Sequence, residues 1–231
     1  MSGVVVIGAA GGCGTTTFAC ALALARRRSG EQVLLVDLDP HGGGPTALWG
    51  VPLTRSLDDA CALGSELDPD HLTHLIHRHA TGIDVMAGAR EPLALSGWST
   101  QAVEVVSDYV ASRPSWVVDA GRGDTALAMA LLSRADLAVV LVPRTGHGAR
   151  RASHAARAVQ AWAAQGRTAV AVATELPAGE RVPQRALERA LGLEMVATVP
   201  RDDRAAARVA DAHPARGRGL ARSVAAVEGR R

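Results

Sequence analysis

The chain has 231 residues, of which 48% are hydrophobic and only 3% are aromatic. This length supports one sizeable core of Ala, Val and Leu, and we expect a single domain over residues 1–231. A formal net charge of +2 argues against a nucleic-acid groove, and three cysteines without a CxxC spacing argue against a disulfide framework or a metal cluster.

The basic residues are all arginine, because Lys plus Arg number 25 and no Lys occurs anywhere in the sequence. No apolar run approaches the roughly 20 residues of a membrane-spanning helix, and no basic segment precedes the first apolar run. We therefore expect a soluble protein of the reducing cytoplasm.

Short Val-rich runs alternate with longer Ala- and Arg-rich segments, the order expected of repeated β-α units with right-handed crossovers. Most runs are continuously apolar, which is typical of parallel strands buried on both faces. Strands are predicted over 4–8, 33–37, 83–87, 116–119, 137–143, 169–174 and 195–199. Helices are predicted over 15–28, 100–112, 124–133, 147–165, 183–191, 204–211 and 219–227. The segment 53–81 predicts one or two short helices at an edge. The fold class is therefore α/β, a mainly parallel twisted sheet with helices on both faces.

A glycine-rich turn follows the first predicted strand, and an apolar helix follows the turn. The turn reads AAGGCGTTT over residues 9–17. A strand, a glycine-rich turn and a helix N-terminus in this order cradle phosphate, because glycine lets backbone N–H groups turn toward an anion. On its own the turn is weak evidence, since glycines also permit close packing between a strand and a helix.

This stretch resembles the deviant Walker A motif of the MinD/ParA family, which reads KGGxGKT followed by Ser or Thr. The resemblance places the family's signature Lys at Ala10, its phosphate-binding Lys at Thr15 and its magnesium-binding hydroxyl at Thr16. Two further family elements follow in order, an Asp-x-Asp at 37–39 and a Walker B strand that ends at Asp119. The resemblance spans essentially the whole chain and implies the three-layer fold of P-loop NTPases.

The resemblance also implies a nucleotide site for ATP or ADP with Mg²⁺. Its phosphate-binding residues would be Gly11, Gly12, Cys13, Gly14, Thr15, Thr16 and Thr17. The Mg²⁺ ion would be held by Thr16, Asp37 and Asp119, and Asp39 would correspond to the carboxylate that positions the attacking water. An alternative interpretation of Asp37 and Asp119 is that acids at strand ends cap neighbouring helices or turns.

Loss of both lysines predicts weak nucleotide binding and weak or absent hydrolysis, because phosphoryl transfer depends on cations that stabilise the transferring group. Only an arginine could compensate, and Arg122 and Arg144 are the candidates; a simply solvated arginine is the alternative. The Asn that reads adenine in many family members is replaced by the segment Thr174-Glu175-Leu176-Pro177. The sequence therefore gives no support for adenine specificity.

Within the family, the loss of the motif lysines makes this chain most similar to the CpaE/TadZ branch, in which these lysines are degenerate. This implies a localisation or scaffolding protein for a pilus, secretion or division machine, recruited to a pole, a septum or the inner membrane face. An active ATPase of the partitioning or septum-site type that uses Arg in place of Lys is the first alternative. A nonspecific DNA-associating partition protein is the second, and the near-neutral charge disfavours it. The resemblance implies a homodimer, and Ala10 at the signature position implies that the dimer is independent of nucleotide.

Several weaker patterns have ordinary structural interpretations. Four histidines, His71, His74, His77 and His79, fall close together, and the first three sit at three-residue steps that could present imidazoles on one side of a helix. A solvated edge helix is preferred to a metal site. For Cys13, we prefer the interpretation that it is the variable residue of the motif, and a redox sensor is the alternative.

Two helix termini also have ordinary structural interpretations. The predicted last helix carries Leu220, Val224 and Val227 on one face and is expected to pack on the sheet, with membrane binding as the alternative. The run 26–28 is three arginines that suit the negative end of the first helix dipole.

Overall fold

The computed structural model describes residues 2–40, 43–90, 97–175, 181–216 and 219–230, with side chains at all of these positions except 153–155 and 158. In this part of the chain eight strands form one sheet in the order β3-β4-β2-β5-β1-β6-β7-β8. The strands are β1 (Ser2–Gly8), β2 (Val33–Asp37), β3 (Ile76–Arg78), β4 (Asp84–Met86), β5 (Ser115–Asp119), β6 (Leu137–Pro143), β7 (Thr168–Thr174) and β8 (Glu194–Val199). All pairings are parallel except that of β3 with β4.

Helices cover both faces of the sheet, as predicted. They are α1 (Thr15–Arg28), α2 (Pro45–Leu48), α3 (Leu57–Leu63), α4 (Pro69–His74), α5 (Thr100–Ala111), α6 (Ala126–Arg134), α7 (Gly146–Ala163), α8 (Gln184–Leu191), α9 (Asp203–Ala210) and α10 (Leu220–Glu228). Alternate residues of β1 face opposite cores. Val5 and Ile7 belong to the core under α5, α6, α7 and α8, whereas Val4 and Val6 belong to the core under α1, α9 and α10. Burial on both faces explains the continuous apolar runs in the sequence.

The parallel register brings the carboxyl ends of three central strands together. β1 lies between β5 and β6, and β5 lies between β1 and β2. Asp37 is paired in register with Asp119, and Val6 is paired with Asp119. The end of β1, where the glycine-rich turn begins, therefore lies beside both Walker-type carboxylates.

The seven predicted strands and seven predicted helices are all confirmed, with boundaries that agree within two residues. The segment 53–81 does contain two short helices, α3 and α4, and it lies at the edge of the sheet. The prediction missed α2 and also β3, a three-residue antiparallel strand at the edge, because so short an element has too few residues to show a period.

The prediction that His71, His74 and His77 share one side of a helix is wrong for His77. α4 ends at His74, and His77 lies on β3, where its Nε2 is 2.7 Å from the carbonyl oxygen of Arg55. The His79 ring stacks on Trp49, with ring centroids 5.0 Å apart. Among the described residues no group of three His, Cys, Asp or Glu could hold a metal ion.

The C-terminal helix α10 packs on the body of the protein, as expected. Leu220, Val224 and Val227 are all buried against α1 and the sheet. No helix in the described ranges is long and apolar enough to cross a membrane. A membrane role for this apolar face would require α10 to leave the core.

The first helix carries a buried arginine close to its C-terminus. Arg26 is 1% exposed, and its Nη1 donates to the carbonyl oxygens of Ser2 and Trp116, at 3.0 and 3.2 Å, and to the Ser115 hydroxyl at 3.3 Å. Its Nε donates to Glu228 Oε1 on α10 at 3.0 Å. The helix-dipole interpretation is therefore incomplete for this residue, because Arg26 also joins β1, β5 and α10. We call this arrangement, Arg26 with Ser2, Ser115, Trp116 and Glu228, the arginine clasp.

Candidate nucleotide-binding site

The glycine-rich turn joins β1 to α1 and leaves the start of α1 open. Gly12 and Gly14 have φ values of 73° and 89°, in the left-handed region that favours glycine. A Cβ atom added at either position, or at Gly11, would meet nothing within 4 Å, so these residues border open space. α1 has no side-chain cap at its N-terminus. Its first N–H groups therefore need an external acceptor, and an anion such as phosphate suits this position.

Two cavities lie on either side of the turn. The first, of about 460 Å³, is lined by Ala10, Gly11, Gly12, Gly14, Thr15, Thr16, Thr17, Asp39, Gly43, Gly121 and Arg122; we call it the phosphate cavity. The second, of about 290 Å³, is lined by Gly12, Cys13, Gly14, Thr17, Phe18, Leu141, Thr174, Glu175, Val199, Pro200, Arg201, Asp202, Asp203, Ala206 and Leu220; we call it the base-side cavity. Every phosphate-binding residue suggested by the sequence lines at least one of the two.

A buried carboxylate and a hydroxyl group meet beneath the phosphate cavity. Thr16 Oγ1 donates to Asp119 Oδ2 at 2.6 Å, and the backbone N–H of Gly121 donates to Asp119 Oδ1 at 3.1 Å. Asp119 is fully buried, and burial raises its pKa to about 7. In the described part of the chain no Arg forms an ion pair with Asp119. Since oxygen ligands next to an uncompensated buried charge suit Mg²⁺, Thr16 and Asp119 fit the predicted ion.

Asp37 lies beside Asp119, but its oxygens already bond to the chain. Oδ1 accepts from the backbone N–H of Asp39 and Oδ2 from that of Thr46, both at 3.0 Å. A Cβ atom at Gly44 would overlap the Asp37 carboxylate. Burial raises the Asp37 pKa, and the bonds to Thr46 and Asp39 oppose that rise. This geometry agrees with the capping interpretation, and a direct contact of Asp37 with Mg²⁺ stays a prediction.

Asp39 differs from the other two acids because it faces the phosphate cavity. It is only partly buried, and a Cβ atom at Gly121 would lie 3.3 Å from its Cα atom. The Asp39 carboxylate and the Thr16 hydroxyl thus border the same space. This is the position that a residue acting on a phosphate-bound water would need, and the role itself stays a prediction.

Thr15 occupies the position of the phosphate-binding lysine and directs its hydroxyl back toward β1. Thr15 Oγ1 lies 3.2 Å from Cys13 Sγ, and a Cβ atom at Gly8 would overlap that hydroxyl. Cys13 is buried, at 2% exposure. Neither Thr15 nor Ala10 therefore supplies a charge to the phosphate cavity.

Comparison with known proteins identifies the family. The model of the CobQ/CobB/MinD/ParA nucleotide-binding domain matches residues 4–215. The chain belongs to this family.

The matches to individual relatives cover less of this chain than the family model does. Two uncharacterized proteins of Mycobacterium tuberculosis, from strains CDC 1551 / Oshkosh and ATCC 25618 / H37Rv, are each 33% identical over 142 residues, which cover 61% of this chain. The match covers only 39% of the length of these relatives.

Solved structures of MinD and ParA proteins share the fold. A ParA family ATPase from Chlorobium tepidum TLS superposes with a TM-score of 0.79 and 15% identity, covering 96% of this chain and 95% of that chain. The septum site-determining protein MinD from Pyrococcus horikoshii OT3, complexed with Mg-ADP, gives 0.77 and 17%, covering 99% and 95%. The MinC:MinD complex from Aquifex aeolicus gives 0.72 and 14%, covering 99% and 96%. At such low identities the superpositions establish the fold alone, which is the α/β fold of MinD-like P-loop NTPases.

Of the two arginines that could replace the family's lysines, only one lies at the phosphate cavity. Arg122 lines that cavity and is exposed. Arg144 instead donates through Nε to the Val182 carbonyl oxygen at 3.3 Å and through Nη1 to Glu175 Oε1 at 3.5 Å. Sequence alone could not separate the two, because the difference depends on the turn after β5 and on the Glu175 partner.

The base-side cavity is lined in part by Thr174 and Glu175, which belong to the segment that replaces the adenine-reading Asn in the sequence comparison. Thr174 is buried and its Oγ1 has no hydrogen-bond partner among the residues that the structure describes, and Glu175 is also 3.6 Å from Arg181. Asp202 caps α9 by accepting from the Ala205 N–H at 2.9 Å. The sequence analysis did not single out Phe18 as a lining residue, because Phe18 gave only an apolar helix signal. Leu176 and Pro177 lie outside the described residues.

Proposed function

We propose that this chain is a localisation or scaffolding protein of the MinD/ParA type, similar to the CpaE/TadZ branch. Its partners are the components of a pilus, secretion or division machine, and it binds nucleotide weakly and hydrolyses it slowly or not at all. The complex of MinD with MinC in Aquifex aeolicus supports a protein partner for a family member.

One observation carries this proposal. The glycine loop, the open helix N-terminus and the Thr16–Asp119 pair are intact, whereas the lysine position holds Thr15 with its hydroxyl turned toward Cys13. We infer that the site keeps residues able to hold phosphate and Mg²⁺ but lacks the cations of the loop. Removing such a charge from a phosphoryl-transfer site affects the transition state more than the ground state, since negative charge shifts within the transferring group.

A second candidate function is an active ATPase in which an arginine replaces the lysine. The presence of Arg122 at the phosphate cavity favours it. The two functions differ in turnover and not in fold, so that a kinetic experiment separates them.

The experiment measures phosphate release from Mg-ATP by the wild type, Asp39→Ala and Thr15→Lys. We expect the wild type to release phosphate no faster than Asp39→Ala, and we expect Thr15→Lys to bind Mg-ATP more tightly because it restores a cation. Turnover near 1 s⁻¹ or above, the order of typical enzymes, that is lost in Asp39→Ala would replace the proposal with the active-ATPase alternative.

Ala10 bears on whether a homodimer of this chain depends on nucleotide. Because the signature lysine position is neutral, we expect any homodimer to form without nucleotide. Sedimentation velocity with and without Mg-ATP should give the same state, and a monomer–dimer shift on addition of Mg-ATP would contradict this.

A further inference from the structure

Arg122 is the one positively charged side chain that lines the phosphate cavity in the described part of the chain. The other side chains of the cavity wall are small, hydroxyl-bearing or, at Asp39, acidic. Arg122 itself forms no hydrogen bond or ion pair with any described residue. Its guanidinium is therefore available to an anion that enters the cavity.

The turn that carries Arg122 is fixed against the phosphate loop. Gly121 and Gly123 have φ values of 53° and 72°, which flank Arg122 with two left-handed residues. The Gly121 carbonyl oxygen accepts from the Gly8 N–H at 2.7 Å, and the Gly121 N–H donates to Asp119. The backbone at Arg122 is thus tied both to the start of the glycine loop and to the buried carboxylate.

Space around the two glycines of the turn is limited. A Cβ atom at Gly123 would come within 3.0 Å of Ile7 Cγ2, and one at Gly121 would lie 3.3 Å from the Asp39 Cα atom. The turn therefore packs closely against β1 and the loop after β2. The backbone at Arg122 lies beside the cavity that its side chain lines.

A bound nucleotide brings several negative charges into a cavity that already borders Asp39 and overlies Asp119. Backbone N–H groups offer only partial charges, and none of the threonines at 15–17 is ionised. A guanidinium has a planar set of donors that matches phosphate oxygens and keeps its charge at all physiological pH values.

We propose that Arg122 binds the phosphates of a nucleoside di- or triphosphate and supplies, from the turn after β5, the positive charge that the glycine loop lacks. This assignment rests on the proposed function, since it requires that the site accepts nucleotide. It places the phosphate contact on the segment that leads into α6, so that an occupied site holds this segment and the glycine loop together.

The test is a calorimetric titration of the full chain with Mg-ADP, a ligand that requires no hydrolysis. The variants are Arg122→Ala, Arg122→Lys and the double variant Arg122→Ala with Thr15→Lys. Arg78→Ala is the matched control, because it removes the same charge from an exposed position on the edge strand β3, outside the lining of both cavities.

Arg122→Ala should weaken binding by about 10- to 100-fold, the effect of losing hydrogen bonds between charged groups. Arg122→Lys should recover part of the affinity, because an ammonium keeps the charge but loses the paired donors. The double variant should recover affinity through the lysine in the loop. Arg78→Ala should stay within about twofold of the wild type, since screening removes its distant effect.

Equal affinities of Arg122→Ala and Arg78→Ala would overturn the assignment, and so would a wild type that binds no Mg-ADP. In the second case the non-hydrolysing scaffold would still stand, because its phosphate release would remain absent. Conversely, rapid phosphate release by the wild type that Arg122→Ala abolishes would support the role of Arg122 and overturn the proposed function. The two proposals therefore fail separately.

Discussion

The short strand β5 has a buried ionisable group at each end, and the two groups differ in the partners that the protein provides. At the amino end of β5, the guanidinium of Arg26 bonds to Ser115 and Trp116 and forms an ion pair with Glu228. At the carboxyl end, Asp119 has a hydroxyl and a backbone N–H as partners but no described arginine. Burial is the main cause that raises the pKa of Asp119 to about 7.

The difference separates a structural charge from a ligand-binding charge. A buried ion is tolerated when the protein itself provides an opposite charge and hydrogen bonds, as the arginine clasp does. An acid buried without that compensation is stabilised by a cation from outside. The arginine clasp has its opposite charge within the chain, whereas we propose that Mg²⁺ and phosphate supply the partners at the Asp119 end.

The largest effect should come from breaking the clasp. Arg26→Met keeps an apolar stem but leaves Glu228 and three acceptors without their donor, so we expect a loss of about 3 kcal/mol in the free energy of unfolding in urea. The matched control is Arg28→Met, an exposed neighbour in the same turn, with an effect below about 0.5 kcal/mol. Equal losses would show that Arg26 acts only through the helix dipole.

A smaller effect, of opposite sign at neutral pH, is expected for Asp119→Asn in the absence of divalent cations. The folded-state pKa of about 7 exceeds the ordinary value of 3.8, so Asp119 stabilises the folded state below pH 4 and this contribution is lost as pH rises toward 7. From pH 5 to pH 8 the wild type should lose about 2–3 kcal/mol relative to Asp119→Asn.

The free energy of unfolding in urea, measured at each pH, tests this comparison of the wild type with Asp119→Asn. Excess Mg²⁺ at pH 8 should restore stability to the wild type and leave Asp119→Asn nearly unchanged, because a ligand that binds only the folded state stabilises it. Parallel pH profiles for the two proteins would mean that Asp119 is already compensated within the chain.

The smallest effect is expected for Glu228→Gln, which keeps a hydrogen-bond acceptor for Arg26 and removes only the charge. Because the Glu228 side chain is 19% exposed, we expect about 1 kcal/mol of destabilisation. The double variant Arg26→Met with Glu228→Leu should lose less than Arg26→Met alone, since it leaves no unpaired charge. A double variant as unstable as Arg26→Met would show that the backbone acceptors of the clasp matter more than its ion pair.

Much of the fold and the order of the site elements could be predicted from the sequence. Strands buried on both faces leave continuous apolar runs, and the glycine turn, Asp37 and Asp119 follow such runs at their carboxyl ends. The short edge strand β3 could not be predicted, because its three residues carry no period. Nor could the burial of Arg26, since its partner Glu228 is 202 residues away along the chain.

The site was less predictable than the fold, because its chemistry depends on side-chain direction. The sequence shows that Thr15 is not a lysine, but only the structure shows its hydroxyl turned toward Cys13. The sequence offered Arg122 and Arg144 equally. Their difference arises from the positive φ values around Arg122 and from the Glu175 partner of Arg144.

α1 runs from the glycine turn at one end to the arginine clasp at the other. Its 14 residues span about 21 Å at the usual rise of 1.5 Å per residue. α1 is therefore one continuous element that contacts α10 at its last turn, through Arg26 and Glu228, and lines the phosphate cavity at its first turn, through Thr15, Thr16 and Thr17.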